Sequence, residues 1–259
     1  MSDHAYARPD RRLLLAEGPR VIYELASLLP SAPFLYQAPR GDNHPILVMP
    51  GLGAGDSSTG LLRGFLSSLG HKTHPWNLGT NRGPTAPNLP AKLATRLDQI
   101  FTNAGDRKVS LVGWSMGGVY ARLLAHLYPE KVRQVITLGS PFGGSSRSQS
   151  NSALPPKIDT PHQMSTKEMR SLIGEPLPGI PGSAIFSKTD AIVHWRHATQ
   201  VRSDIAENIE VFAAHIGLGF SPAVLYAIAD RLAQREDRWQ PFQRSGWKSV
   251  VYGTANLSQ

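Results

Sequence analysis

The sequence predicts an α/β fold in which a mostly parallel sheet is covered by helices on both faces. Short apolar runs bounded by turn residues alternate along the chain with longer segments whose apolar residues recur every three or four positions. This alternation is typical of βαβ units. The 259 residues, of which 41% are hydrophobic, are enough to form a substantial core. We expect a single domain over residues 1–259.

The N-terminal part of the chain is predicted to contain a helix, a strand and a second helix. A helix is expected from about Gly18 to Leu29. The apolar run at 45–49 fits a strand buried on both faces, because it has no polar alternation. Asp56 and Ser57 can cap the second helix, whose apolar residues share one face.

The middle of the chain repeats the strand and helix pattern, with Gly70 ending one helix and Pro129 another. The predicted elements here are a strand at 72–76, an amphipathic helix over about 88–103, a strand at 109–112, a helix at 119–128 and a strand at 132–138.

Residues 143–182 differ in composition from the rest of the chain. They are rich in proline and serine and contain no Phe, Tyr or Trp. A segment of this length is too long for an ordinary connection, so we interpret it as a lid or cap-like excursion from the fold. Regular structure is expected again in strands at 183–186 and 209–213. A final helix should begin at Ser221-Pro222, where a good N-cap precedes proline at the first helical position.

The net charge of +8 raises the question of an anionic partner. Apart from Arg11-Arg12, the basic residues of the N-terminal region are scattered, and the chain lacks the clustered basic stripe with interleaved aromatics that nucleic-acid binding uses. We therefore expect no nucleic-acid partner. The charge is compatible with weak association with an anionic membrane surface, and no pattern indicates an oligomeric state.

Neither of two apolar segments near the N-terminus fits a targeting or membrane sequence. Residues 1–15 contain an apolar run of only three leucines, which is too short for a signal-peptide core. The apolar stretch 21–36 is interrupted by Glu24, Pro30 and Pro33, so it does not fit a membrane span. We expect a cytoplasmic protein. The absence of cysteine excludes disulfides and a cysteine nucleophile.

Gly113-Trp114-Ser115-Met116-Gly117 is the sequence motif that carries chemistry. A Gly-x-Ser-x-Gly pattern alone is weak evidence, but here it lies between a predicted buried strand and a predicted helix. A tight turn at that position exposes the serine at the top of the sheet, and the glycines remove side chains that would collide there. Ser115 is therefore the candidate nucleophile.

These residues resemble the nucleophile elbow of the α/β-hydrolase superfamily, over roughly residues 45–234. The resemblance implies an acid and then a histidine, each on a loop after a later strand. Asp190 follows the strand predicted at 183–186, and His215 follows the strand predicted at 209–213. In this scheme His215 takes the proton of Ser115, while Asp190 orients the imidazole.

The resemblance also implies two main-chain donors for the oxyanion. One is the amide of Met116, directly after the nucleophile, and the other comes from the loop Pro50-Gly51-Leu52-Gly53, where Leu52 is the expected donor. Many lipases begin this loop with His-Gly, whereas this chain has Pro50-Gly51. This departure weakens the assignment as a lipase. The lack of aromatic residues in 143–182 argues against a large apolar lid and favours a general esterase over an interfacial lipase.

Other histidines and another aspartate are alternatives for the same roles. His194 and His197 lie near Asp190, but a base there would share a loop with the acid. Asp204 is the alternative acid, within a charged stretch that resembles a solvated segment. His126 is expected to be structural. The pairs His71/His74 and His194/His197 have spacings that a metal could use, yet neither has further ligands nearby, so no metal is expected.

The predicted function is cleavage of small-molecule carboxylic esters with a hydrophobic acyl group, without a cofactor. Trp114 either lines the acyl pocket, as a substrate-binding residue, or packs beneath the turn. An acyltransferase or a thioesterase would use the same residues, and a non-catalytic binding protein of the same fold is a further alternative.

Overall fold

A computed structural model describes residues 9–84, 86–143 and 166–254. Within them, six strands form one sheet in the order β2-β1-β3-β4-β5-β6, and every neighbouring pair is parallel. The strands are β1 Pro45–Met49, β2 Lys72–Pro75, β3 Val109–Trp114, β4 Val132–Leu138, β5 Gly182–Phe186 and β6 Ala206–Glu210. The helices are α1 Arg11–Tyr36, α2 Gly60–Ser68, α3 Leu89–Asn103, α4 Met116–Leu127, α5 Thr166–Gly174, α6 Pro222–Leu232 and α7 Lys248–Val251.

Apolar cores lie on both faces of the sheet, because successive side chains of a strand point in opposite directions. In β1, Ile46 and Val48 pack into the core that contains residues of α2 and α6. Leu47 and Met49 pack into the core formed with α3 and α4. The predicted parallel sheet with helices on both faces is therefore confirmed.

The first helix differs from its prediction at both ends. It runs from Arg11 to Tyr36 rather than from Gly18 to Leu29, and it contains three prolines. Asp10 caps its start by accepting a hydrogen bond from the amide of Arg12. Tertiary contacts along its length compensate for the unfavourable prolines.

Strand β6 begins three residues earlier than predicted, at Ala206. The early residues of this strand are polar and therefore look like a loop in the sequence. In the structure Glu207 is buried and paired with Arg231, with 3.0 Å between Oε1 and the guanidinium nitrogen. Asn208 exchanges hydrogen bonds with the backbone of Gln200. These partners allow polar residues to occupy a buried strand.

The segment 143–182 lies partly outside the described residues, since 144–165 are not among them. Its later part forms α5, where Met169 and Ile173 pack against Val119 and Leu123 of α4. The role of the segment as a lid or cap stays a prediction. No helix in the described ranges is long and apolar enough to cross a membrane.

Candidate active site

Ser115 occupies the tight turn between β3 and α4. Its φ of 52° and ψ of −120° lie outside the regions that L-residues normally adopt. Such a conformation costs on the order of 1–3 kcal/mol and persists only where the surroundings enforce it. Here the amide of Ser115 donates to the carbonyl of Leu138 at 2.8 Å, and its carbonyl accepts from the amide of Gly118 at 3.0 Å.

Glycines on both sides of Ser115 allow α4 to lie directly against the strands. A Cβ atom at Gly113 would be 2.3 Å from the Cα of Gly118, and one at Gly117 would be 2.3 Å from the carbonyl oxygen of Met49. A Cβ at Gly118 would be 2.0 Å from Ser140 Oγ. Glycine is therefore required at these three positions, because a methyl group would clash with the atoms packed against it.

Asp190 and His215 are brought together on neighbouring loops, after β5 and β6. Both are buried, with 3% and 5% of their surface exposed, and His215 Nδ1 lies 2.7 Å from Asp190 Oδ2. The other carboxylate oxygen accepts hydrogen bonds from the amides of Ile192 and Val193 at 2.8 and 2.7 Å. A carboxylate accepts hydrogen bonds, so His215 carries its proton on Nδ1 and donates it to Asp190. Nε2 of the imidazole is then able to accept a proton.

Ser115 lies at the same edge of the sheet as this pair. Its amide binds Leu138, and the next residue, Gly139, borders the pair: a Cβ there would lie 3.0 Å from Asp190 Oδ2 and 3.3 Å from His215 Nδ1. Among the described residues, no hydrogen bond joins Ser115 Oγ to His215. In unliganded sites such contacts are often long and shorten when substrate binds.

Trp114 contacts the histidine loop. Its indole Nε1 donates to the carbonyl of His215 at 3.1 Å, and its ring lies 3.3 Å from the position of a Cβ at Gly219. The side chain therefore supports the loop that carries His215. Its role in substrate binding stays a prediction.

The two amides expected to bind an oxyanion both lie beside Ser115. Met116 begins α4, and a Cβ at Gly51, next to Leu52, would be 3.4 Å from Ser115 Cβ. Within the described ranges, neither the Leu52 amide nor the Met116 amide donates to a protein acceptor. Both donors are thus available to a ligand, and the Met116 amide also lies at the positive end of a helix dipole.

Comparison with known proteins identifies the fold. A family model described as the alpha/beta hydrolase fold matches residues 45–171. The chain has the α/β-hydrolase fold. Over 109 residues it is 29% identical to a triacylglycerol lipase of Pseudarthrobacter phenanthrenivorans, in a match that covers 39% of this chain and 34% of the relative. A triacylglycerol lipase of Burkholderia plantarii is also 29% identical over 109 residues, which cover 39% of this chain and 30% of the relative. The matched region therefore spans about a third of the length of these curated relatives.

Solved structures of α/β hydrolases share the fold at low sequence identity. A lipase of Bacillus licheniformis in its mature form superposes with a TM-score of 0.52 and 18% identity, covering 77% of this chain and 95% of that one. Alpha/beta hydrolase domain-containing protein 10 from mouse superposes with a TM-score of 0.51 and 18% identity, covering 74% of this chain and 90% of that one. At such identity the likeness concerns the fold alone.

Asn81 is a residue near Ser115 that sequence reasoning missed. It is buried, and its Nδ2 donates to the carbonyl of Pro50 at 2.9 Å. Its Oδ1 accepts from the amide of Gly83 at 3.0 Å and from the hydroxyl of Tyr120 at 3.3 Å. Its backbone pairs with Gly53 and Ala54. Asn81 thus joins the oxyanion loop to the helix after Ser115, and its position in a polar loop gave no signal of this role.

The alternative residues are placed differently by the hydrolase fold. His194 and His197 lie on the loop after Asp190, and their rings are 6.0 Å apart. Asp204 is exposed. Burial lowers the pKa of His126 to about 4. Across the described ranges, no group of three or more His, Asp or Glu side chains is arranged to hold a metal ion.

Proposed function

We propose that this chain is a serine hydrolase that cleaves carboxylic esters through an acyl-enzyme on Ser115. The observation that carries the proposal is the buried pair of Asp190 and His215, 2.7 Å apart, at the sheet edge where Ser115 is held at positive φ. Two relatives that match in part of their sequence are named triacylglycerol lipases, which supports the same chemistry.

The first half of the reaction forms the acyl-enzyme. Ser115 Oγ attacks the ester carbonyl while His215 Nε2 takes the hydroxyl proton, and Asp190 stabilises the resulting imidazolium. The oxyanion accepts hydrogen bonds from the amides of Leu52 and Met116. One such donor contributes about 2.7–4 kcal/mol to transition-state stabilisation in enzymes where it has been removed. The intermediate then collapses, and His215 gives its proton to the departing alcohol.

The second half releases the acid. Water enters where the alcohol left, His215 Nε2 takes one of its protons, and the oxygen attacks the acyl carbonyl. A second tetrahedral intermediate collapses, the Ser115 oxygen leaves, and His215 returns the proton to it. All groups required for these steps belong to this chain. If an alcohol took the place of water, the same residues would act as an acyltransferase. If the substrate were a thioester, they would act as a thioesterase.

A fluorophosphonate probe tests the nucleophile directly. We expect it to label the wild-type protein and Ser68→Ala, whose serine is exposed on α2, but not Ser115→Ala. Mass spectrometry of the adduct should assign it to Ser115. Absence of labelling in a folded wild-type protein would overturn the proposal and favour a binding protein of the same fold.

A panel of p-nitrophenyl esters with graded acyl length tests the substrate class. We expect hydrolysis with a preference among hydrophobic acyl groups, and a loss of several orders of magnitude in His215→Ala. His194→Ala and His197→Ala should retain most of the activity. Comparable losses in all three variants would contradict the assignment of the base.

A further inference from the structure

Two glutamates of α1, Glu17 and Glu24, face the protein interior. Glu17 and Glu24 are 8% and 5% exposed. On the outside of the same helix, Leu15, Ile22 and Leu29 are largely exposed. An amphipathic helix normally buries its apolar face, so hydrophobic packing does not explain why these carboxylates are inside.

The two glutamates hold the backbone on each side of His215. Glu24 Oε1 accepts from the amide of Ala214 at 2.7 Å, and Glu17 Oε1 accepts from the amide of Ile216 at 3.0 Å. Residues seven positions apart lie on one face of a helix, two turns from each other. A single helix face therefore fixes both amides that flank His215.

Arg20, between the glutamates, holds the loop of the acid. Its guanidinium donates to the carbonyl of Thr189 at 2.7 Å and to the Oγ1 of Thr189 at 2.6 Å. Thr189 directly precedes Asp190. The planar guanidinium makes this contact at two atoms, which fixes the orientation of the loop as well as its position.

Burial of these carboxylates is costly for the fold. The second oxygen of each, Oε2, is buried and has no hydrogen-bond partner among the described residues. Burial raises the pKa of Glu24, and the amide of Ala214 acts in the opposite direction. A buried carboxylate with only one of its two oxygens hydrogen-bonded stabilises a fold less than an apolar side chain does. Its presence at both sides of His215 indicates a role in placing the histidine.

We propose that Glu17, Arg20 and Glu24 are positioning residues, which hold the His215 and Asp190 loops at the separation that proton transfer from Ser115 requires. The inference rests on the proposed function. None of the three touches the reacting atoms, so they act on the rate through the geometry of the histidine and the acid.

The test compares alanine and glutamine variants of the glutamates. Glu17→Ala and Glu24→Ala remove the acceptor, and we expect kcat for ester hydrolysis to fall about 10- to 100-fold, since displacements near 1 Å cost about that much. KM should change less than twofold. Glu17→Gln and Glu24→Gln keep a carbonyl acceptor and should restore most of the lost kcat.

Leu28→Ala is the matched control, because Leu28 lies on α1 and packs against the core but has no side-chain group that could hydrogen-bond to either loop. It should lower the melting temperature while leaving kcat near the wild-type value, measured well below unfolding. If the alanine variants of Glu17 and Glu24 lower the melting temperature but not kcat, their role is structural and the inference is wrong. If the folded wild-type protein neither hydrolyses esters nor reacts with fluorophosphonate, the proposed function itself fails.

Discussion

Replacing Asp190 with asparagine provides a sharp test of the active-site geometry, because it changes one atom of the carboxyl group. The two backbone amides of Ile192 and Val193 point at Oδ1 from 2.8 and 2.7 Å. They require an oxygen there. The new NH₂ group must then occupy the site of Oδ2, which lies 2.7 Å from His215 Nδ1.

This arrangement forces the wrong tautomer of the imidazole. An amide NH₂ donates, so His215 Nδ1 must give up its proton and accept, and the proton moves to Nε2. Nε2 then has no lone pair to receive the proton of Ser115. The same change in a serine protease lowers kcat by about 10⁴, equivalent to about 5.5 kcal/mol of transition-state stabilisation. We expect a loss of this size here.

The assay is kcat on a p-nitrophenyl ester near neutral pH, with circular dichroism to verify folding. Asp204→Asn is the control, because Asp204 is exposed and is the alternative acid. We expect it to retain wild-type kcat. A loss below about tenfold in Asp190→Asn, against the 10⁴ expected from the tautomer change, would refute the reasoning. An equal loss in the Asp204 variant would refute it as well.

Three further predictions concern the fold around the site. Gly117→Ala should lower the free energy of unfolding, measured by denaturant titration, by about 1–3 kcal/mol, because the new methyl group would clash with main-chain carbonyls. Gly64→Ala is the control. A Cβ at Gly64 has no atom within 4 Å, so this variant should not be destabilised. Burial lowers the pKa of His44 and of His71 to about 4. Both side chains are neutral in the fold and protonate more readily in the unfolded chain. The free energy of unfolding should therefore be highest above pH 6.5 and fall by up to about 3 kcal/mol per histidine as the pH drops towards 4. Equal unfolding free energies at pH 7 and pH 4.5 would contradict this. Asn81→Ala should lower kcat more than it raises KM, since it frees the oxyanion loop, and an unchanged kcat would exclude that role.

The sequence predicted those parts of the fold that local pattern determines. The strand at 132–138 has the predicted bounds, and α6 begins directly after Ser221 as its cap and proline indicate. The Gly-x-Ser-x-Gly turn led to Ser115, and the resemblance to α/β hydrolases led to Asp190 and His215, which the structure places in contact. The parallel sheet followed from the alternation of strands and helices.

The missed features depend on contacts between distant parts of the chain. Glu17 and Glu24 look like ordinary solvent-facing charges in an amphipathic helix, and only the fold shows that they are buried. Glu207 was interpreted as part of a solvated stretch, but Arg231 pairs with it inside the protein. Asn81 lay in a loop with no periodicity. Polar contacts between residues that are distant in the sequence cannot be predicted from local sequence patterns.

The bonds between α1 and the histidine loop join residues 190 and 199 positions apart. At a synthesis rate of about 5–20 residues per second, the helix is complete about 10 to 40 seconds before its partners leave the ribosome. During that interval its glutamates can remain hydrated, which avoids burying a charge without a partner. The helix can then dock only when the residues around His215 arrive. Asp190 and His215 therefore reach their places only after the chain has been made as far as Ile216.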